Sequence, residues 1–295
     1  MKLFGRKTLA RALFAAVIIF SVFAYSVDVR RVTFNRFPGP GDYLWRSLQT
    51  HTLNFTRNWH WEGAFKYGLV PGFHSASIER DGKALYVSYP PMFVIIPHVL
   101  ATVGGFFPDL AFLMRLSLAA HLLSALLLFV LLQRFLKRSE VGANAASYFS
   151  LLASCLFLLV PACLLFFQNT WWADTAVIPL FLAMILVDSL SVHYGAQRWF
   201  RLATAGLVFM GAATDWLFHC LVACVLLRRI TDPVARRWWP ELVFPVVAQL
   251  IWHAGMIFYS GRFQSFSEKI ELRTGLSAQA ESFSLGIANW LRTVE

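Results

Sequence analysis

The feature that most restricts this chain is a succession of apolar runs, each near the roughly 20 helical residues that cross a hydrocarbon core of about 30 Å. The longest lie at 9–27, 110–135, 145–167, 175–192 and 242–259. Backbone amides find no water in lipid, so a spanning run must be a helix. Hydrophobic residues make up 58% of the chain and charged residues 14%, against about 45–50% and 25% in ordinary soluble domains. A soluble globular domain is therefore excluded, and an all-α polytopic membrane bundle of about seven spans is expected. The formal charge of +10 would by itself suit a nucleic-acid partner. The basic residues gather at the ends of the apolar runs, however, which is a mark of topology. The lipid bilayer, not nucleic acid, is the expected partner.

Cys155, Cys163, Cys220 and Cys224 all lie within apolar runs, so no loop disulfide is expected. Cys220 and Cys224 are spaced i,i+4 beside His219; small packing residues in a membrane helix explain them better than a metal face. The N-terminus starts with basic residues like a signal peptide. Its apolar run is too long for that, and no convincing cleavage site follows, so it reads as an uncleaved span.

Charge at the run ends assigns sides. Lys2, Arg6, Lys7 and Arg11 place the N-terminus in the cytoplasm and the segment 28–91 outside. The stretch 91–107 is apolar but short, opens on Pro90-Pro91 and carries Pro97. If it crossed the bilayer, Arg134, Lys137 and Arg138 would end outside. It is expected to lie in the outer interface. The span 145–167 then runs outward, 168–174 is an outer turn and 175–192 returns. Two short legs, 202–214 and 216–227, place Asp215 at an outer tip, and 242–259 leads to an outer segment 260–295. Of the sixteen acids, only Glu140, Asp188, Asp232 and Glu241 then fall inside. The chain reads as one module with an extracytoplasmic loop at 28–108 holding juxtamembrane helices. It is expected to be the N-terminal part of a longer protein in a plasma membrane.

The segment 28–91 is the longest polar interval, and loops of such length are usually functional or disordered. Its wealth of Trp, Tyr, Phe and Leu argues for structure. Asp42 follows a Pro40-Gly41 turn and suits either the N-cap of a helix or a general base. Asp174, in WWADTAV, can equally cap a helix or act chemically. Asp215 lies at membrane depth, where an ionisable group is a functional candidate with capping as the rival. Arg115 sits about a turn and a half into an apolar span, where it must snorkel or pair; Asp109, Asp174 or a phosphate could serve. Lys269 and Arg273 are i,i+4 beyond the last span, and a solvated face is the plainer explanation. The histidines show no HxH or HExxH spacing, which leaves a divalent metal open but unargued.

Order and sides together resemble the GT-C class of integral-membrane glycosyltransferases, which includes protein mannosyltransferases and lipid A aminoarabinose transferases. The residues that carry the resemblance are Gly41-Asp42-Tyr43 early in the loop and Tyr89-Pro90-Pro91-Met92 at its close. Arg115-Leu116-Ser117-Leu118-Ala119 opens the next span, and Ala173-Asp174-Thr175 steps into a later helix. Several relatives carry Lys or His where this chain has Tyr89. The resemblance implies transfer of a sugar from a polyprenyl-phosphate donor in the outer leaflet to a lipid, glycan or protein hydroxyl. It implies Asp42 as base, Asp174 as the residue that orients the base or binds acceptor, and Arg115 on the phosphate. Lys269 and Arg273 are further phosphate candidates. The rival expectations are a transporter or flippase-like carrier, which usually shows repeats and paired broken helices, and a non-catalytic binding partner.

Overall fold

The computed structural model describes residues 6–36, 42–72, 85–139, 141–169, 171–194, 197–231 and 239–261. Within these residues the chain is all-helical. The α-helices are α1 (Arg6–Arg36), α2 (Asp42–Glu62), α3 (Met92–Gly104), α4 (Leu110–Arg138) and α5 (Ala143–Leu159). They continue with α6 (Pro161–Asn169), α7 (Ala173–Tyr194), α8 (Arg198–Ala212), α9 (Leu217–Thr231) and α10 (Pro240–Tyr259). A short 3-10 turn spans Ala64–Tyr67, and an isolated β-bridge joins Gly72 to Leu85.

Four segments are long and apolar enough to cross a membrane: Leu13–Arg30, Leu110–Arg138, Ala173–Ser191 and Pro240–Tyr259. Their outward surfaces are apolar, with Leu13, Phe14 and Val17 of α1 and Phe244, Ile251 and Phe258 of α10 all exposed. On a water-soluble protein such a belt would be an aggregation surface; in a bilayer it is the lipid face. The helices pack through small and polar residues as well as large ones such as Phe129 and Leu158. α4 buries Ser117, Ala120, Ser124 and Ala125, and α5 buries Ala146, Ser150 and Ser154. Small side chains let membrane helices approach closely. The hydroxyls of Ser124, Ser150 and Ser154 are satisfied by the carbonyls four residues back.

Several sequence expectations hold and several shift. The 91–107 stretch is the 13-residue helix α3, too short to span. The two legs around Asp215 are α8 and α9, joined by a four-residue turn at 213–216. The first apolar run does not end before Asp28; α1 continues to Arg36, because nothing in VDVRRVTFNR breaks a helix. The 145–167 run is not one helix. Val160 adopts ψ 128°, the extended backbone that a following proline imposes, and α6 restarts at Pro161.

The bundle has two chemically distinct ends. At one, Arg201 pairs with Glu241, and Arg228 and Arg229 both pair with Asp188; Arg134 and Arg138 hydrogen-bond Ser189. At the other, α2, the 3-10 turn and α3 form a layer over the bundle. Thr52 Oγ1–H donates to the Trp171 carbonyl (2.9 Å) and Arg57 Nε–H to the Pro108 carbonyl (2.9 Å). The Met92 amide donates to Ala213 O (2.9 Å), and Tyr259 Oη–H donates to Lys66 O (3.0 Å).

A Cβ on Gly211 would lie 2.3 Å from ring carbons of Phe218, so the ring occupies its present place against α8 only because that atom is missing.

Two outcomes follow from this architecture. In a background lacking the native cysteines, single cysteines replacing Lys66 and Arg138 should react with an impermeant maleimide from opposite membrane faces; reaction from one face would contradict the two-ended arrangement. Arg229 and Asp188 are both buried, at 4% and 3% exposure. Asp188→Ala leaves the guanidinium without that carboxylate in a low-dielectric setting, and should cost about 3–5 kcal/mol, read as a lower melting temperature in detergent.

Candidate functional site

The layered end holds every sequence-derived candidate that falls among the described residues. Asp42 is the first residue of α2, at the helix start that Pro40-Gly41 predicts; its side chain lies outside the described atoms. Lys269 and Arg273 lie outside the described residues.

Asp174 stands in the first turn of α7 and is exposed. The expectation that it caps this helix passes to its neighbour: Thr175 Oγ1 lies 2.9 Å from both the amide nitrogen and the carbonyl oxygen of Trp172. The Asp174 carboxylate hydrogen-bonds no described residue and faces outward. Arg115 is also exposed, on the second turn of α4. It makes no ion pair with Asp109 or Asp174. Asp109 is instead the N-cap of α4, its Oδ1 accepting the Phe112 amide at 2.7 Å.

Asp215 is buried in the hairpin tip at 2% exposure. Its Oδ1 accepts the Leu217 amide at 2.7 Å, so it caps the start of α9, the rival role weighed for it. Depth can be compared along the helices. Asp174 precedes Asp188 by fourteen residues on α7, and Asp215 precedes Arg229 by the same number. Since Asp188 and Arg229 meet in a hydrogen-bonded pair at 3.0 Å, both acids sit about 21 Å from that pair along their helices, at 1.5 Å of rise per residue. The two carboxylates therefore share a level.

Tyr89 belongs to an aromatic cluster roofed by the layer. It stacks on Tyr86 with an interplanar angle of 8° and centroids 6.5 Å apart, and Tyr86 stacks on Phe55 of α2. Trp172 meets Tyr86 and Tyr89 edge-on and Phe93 at 4.7 Å. The tryptophans at this end divide. Trp59, Trp171 and Trp172 are buried, and Trp61 is 75% exposed. Burial of the first two is explained by their N–H groups: Trp59 Nε1–H donates to Val70 O (3.2 Å) and Trp171 Nε1–H to Phe93 O (2.7 Å). They lock the layer, whereas Trp61 is left exposed, as an interfacial anchor would be.

Two residues at this end escaped sequence reasoning. His60 of α2 and His98 of α3 face each other edge-on, centroids 6.5 Å apart, with His98 also against Trp59. Spacing in the chain gave no hint of this pair, because the two helices that bring it together are separated by thirty residues. Among the described residues no group of three or more His, Cys, Asp or Glu is placed to hold a metal. The four cysteines are free. Family models, curated proteins and solved structures yield no match to this chain.

Burial, and secondarily the neighbouring His60, hold the His98 imidazole below its ordinary value of 6.5. The unfolded chain thus takes up a proton at His98 more readily than the folded protein. Its contribution to stability is complete above about pH 6.5 and is lost as pH falls from there toward the folded value. His98→Gln should flatten the decline in melting temperature between pH 7 and pH 5.5; an unchanged slope would remove His98 as its source.

Proposed function

We propose that this chain is a GT-C-like membrane glycosyltransferase that moves a sugar from a polyprenyl-phosphate-linked donor to an extracytoplasmic hydroxyl. The observation that carries the reading is the layer itself. The stretches 42–72 and 85–91 pack on the ends of α4 and α7, the helices that bear Arg115 and Asp174. A carboxylate and a guanidinium stand exposed on those helices, and an aromatic cluster containing Tyr89 lies between layer and bundle. The two acids described at the opposite end, Asp188 and Glu241, are instead held by arginines. At the layered end, by contrast, the exposed Asp174 carboxylate makes no ion pair among the described residues.

In this mechanism Asp42 accepts the acceptor's hydroxyl proton as its oxygen attacks the anomeric carbon. The bond from that carbon to the phosphate oxygen breaks, and polyprenyl phosphate leaves with the electron pair. Arg115 stabilises the growing phosphate charge through paired N–H donors, with Lys269 and Arg273 as further cations. Asp174 orients the base or binds the acceptor. In a bacterial plasma membrane the layered end would face outward, the N-terminus would be cytoplasmic, and α1, α4, α5, α7, α8, α9 and α10 would be the seven crossings.

A second reading, a lipid or solute carrier, draws on the α8–α9 hairpin, whose short helices meet at a buried carboxylate as broken helices do in transporters. Transport would need Asp215 and tolerate loss of Asp42. Asp42→Asn should lower transfer to a polyprenyl-phosphate-sugar-dependent acceptor by about 10²–10⁴-fold while insertion and carrier binding persist. Arg115→Ala should raise the donor KM more than the acceptor KM. Near-normal transfer by the Asp42 variant would dismiss it as the base.

A further inference from the structure

Among the buried polar side chains of α2, Gln49 is set apart. Thr52 and Thr56 are fully buried and both are satisfied. Thr52 Oγ1 lies 2.9 Å from the Trp171 carbonyl oxygen, and Thr56 Oγ1–H donates to the Thr52 carbonyl at 2.8 Å. Gln49 is buried at 7% exposure, and its Nε2 makes no hydrogen bond. A side-chain amide gives up its bonds to water when it is buried, and regains nothing where it meets no partner. Native proteins keep few such groups, and each calls for a reason.

The position of Gln49 supplies one. Residues 42, 49 and 56 step by seven, so Asp42, Gln49 and Thr56 lie along one stripe of α2 that drifts only about 20° per step. Its buried members, Gln49 and Thr56, face the bundle. Thr52 borders the stripe one turn beyond Gln49 and holds Trp171, three residues before Asp174. Gln49 therefore stands between the start of α2, where Asp42 is, and the point where α2 meets the turn into α7. The helix rises about 10 Å from Asp42 to Gln49. Leu48 and Leu53 beside it pack into the same core as Phe55, Phe93 and Trp172.

We propose that Gln49 binds a hydroxyl of the sugar carried by the polyprenyl-phosphate donor. The inference rests on the sugar-transfer reading and adds to it a residue that selects the carried group. A neutral amide suits a sugar and not a phosphate. It offers N–H donors and a carbonyl acceptor to hydroxyls, whereas phosphate is addressed by guanidinium or ammonium groups. A sugar hydroxyl accepts from the buried N–H that no protein group accepts. A site made to bond a hydroxyl also rejects a ligand that lacks it, because the buried polar group is then left unpaired.

Two measurements on the full chain in detergent test this. One is the melting temperature. The other is affinity, by native mass spectrometry, for undecaprenyl phosphate bearing mannose, glucose or arabinose and for undecaprenyl phosphate alone. The wild type should prefer one of the sugar-bearing carriers to the bare one. Q49M, close to glutamine in volume, and Q49A should bind the preferred carrier about three- to tenfold more weakly, the worth of one hydrogen bond. Both should bind the bare carrier as the wild type does. Q49M should also melt at a higher temperature without any carrier, because it buries no unpaired polar atom. An unchanged sugar preference in Q49M and Q49A, as an amide that merely holds a water would give, overturns the role of Gln49 and leaves sugar transfer standing. A lower melting temperature in Q49M does the same, since it marks a structural role. Should the wild type prefer none of the three sugars, sugar transfer and the Gln49 inference fall together.

Discussion

The hydrogen bond from Trp171 Nε1 to the Phe93 carbonyl is the join on which the rest of the structure depends. It ties the start of α3 to the turn that opens α7, 78 residues apart in the chain and 2.7 Å apart in space. Thr52, bonded to the carbonyl of the same tryptophan, brings α2 to that point. Both partners are buried, so each bond satisfies a group whose isolation would cost about 1–3 kcal/mol. The aromatic cluster then fills the remaining space, with Phe55, Phe93 and Trp172 as its centre. A polar loop of this length would otherwise be free to wander; here its helices are fastened to bundle ends through backbone carbonyls.

Carbonyl acceptors recur at nearly every seam between layer and bundle. Arg57 takes Pro108 O, Trp216 takes Ser88 O and Tyr259 takes Lys66 O, and within the layer Asn58 takes Gly72 O. Interrupted backbone at a membrane end is tolerated only where its polar groups are satisfied. Long aromatic and cationic side chains reach them from neighbouring helices. At the opposite end the acceptors are the carboxylates of Asp188 and Glu241 together with the hydroxyl and carbonyl of Ser189. The difference between the two ends is thus built into the pattern of hydrogen bonds and not only into the distribution of charge.

Much of this was legible in the chain. The expectation that 91–107 is not a span came from its length and from the sides of Arg134, Lys137 and Arg138; α3 has 13 residues, which agrees with the length. The split at Asp215 was legible for the same reason: one helix could not place both Arg201 and Arg228 at the same face. Helix ends were less so. α1 overran its apolar run because polar residues such as Arg30 and Arg31 continue a helix in water as readily as apolar ones do in lipid. Pro161 divided a run that hydropathy alone reads as continuous. The His60–His98 pair and the Trp171–Phe93 bond were beyond reach, since contacts between helices distant in sequence leave no periodic trace. Asp174 lost its capping role to Thr175, a choice that either residue's chemistry allowed.

The lengths of the helices add a constraint on where chemistry can occur. α8 and α9 are 15 residues each, about 22 Å at 1.5 Å per residue, whereas α4 has 29 residues and reaches about 44 Å. With Arg229 and Ser189 at neighbouring levels near the arginine end, the hairpin tip stops well short of the top of α4. The space above it is taken by the 85–91 segment, through Met92 to Ala213 and Ser88 to Trp216. The layer is therefore no appendage on a finished bundle; it completes the bundle where two helices are too short. Tyr89 and the paired prolines beside it consequently lie deeper than the top of α4 would suggest, near the level of the Asp174 and Asp215 carboxylates.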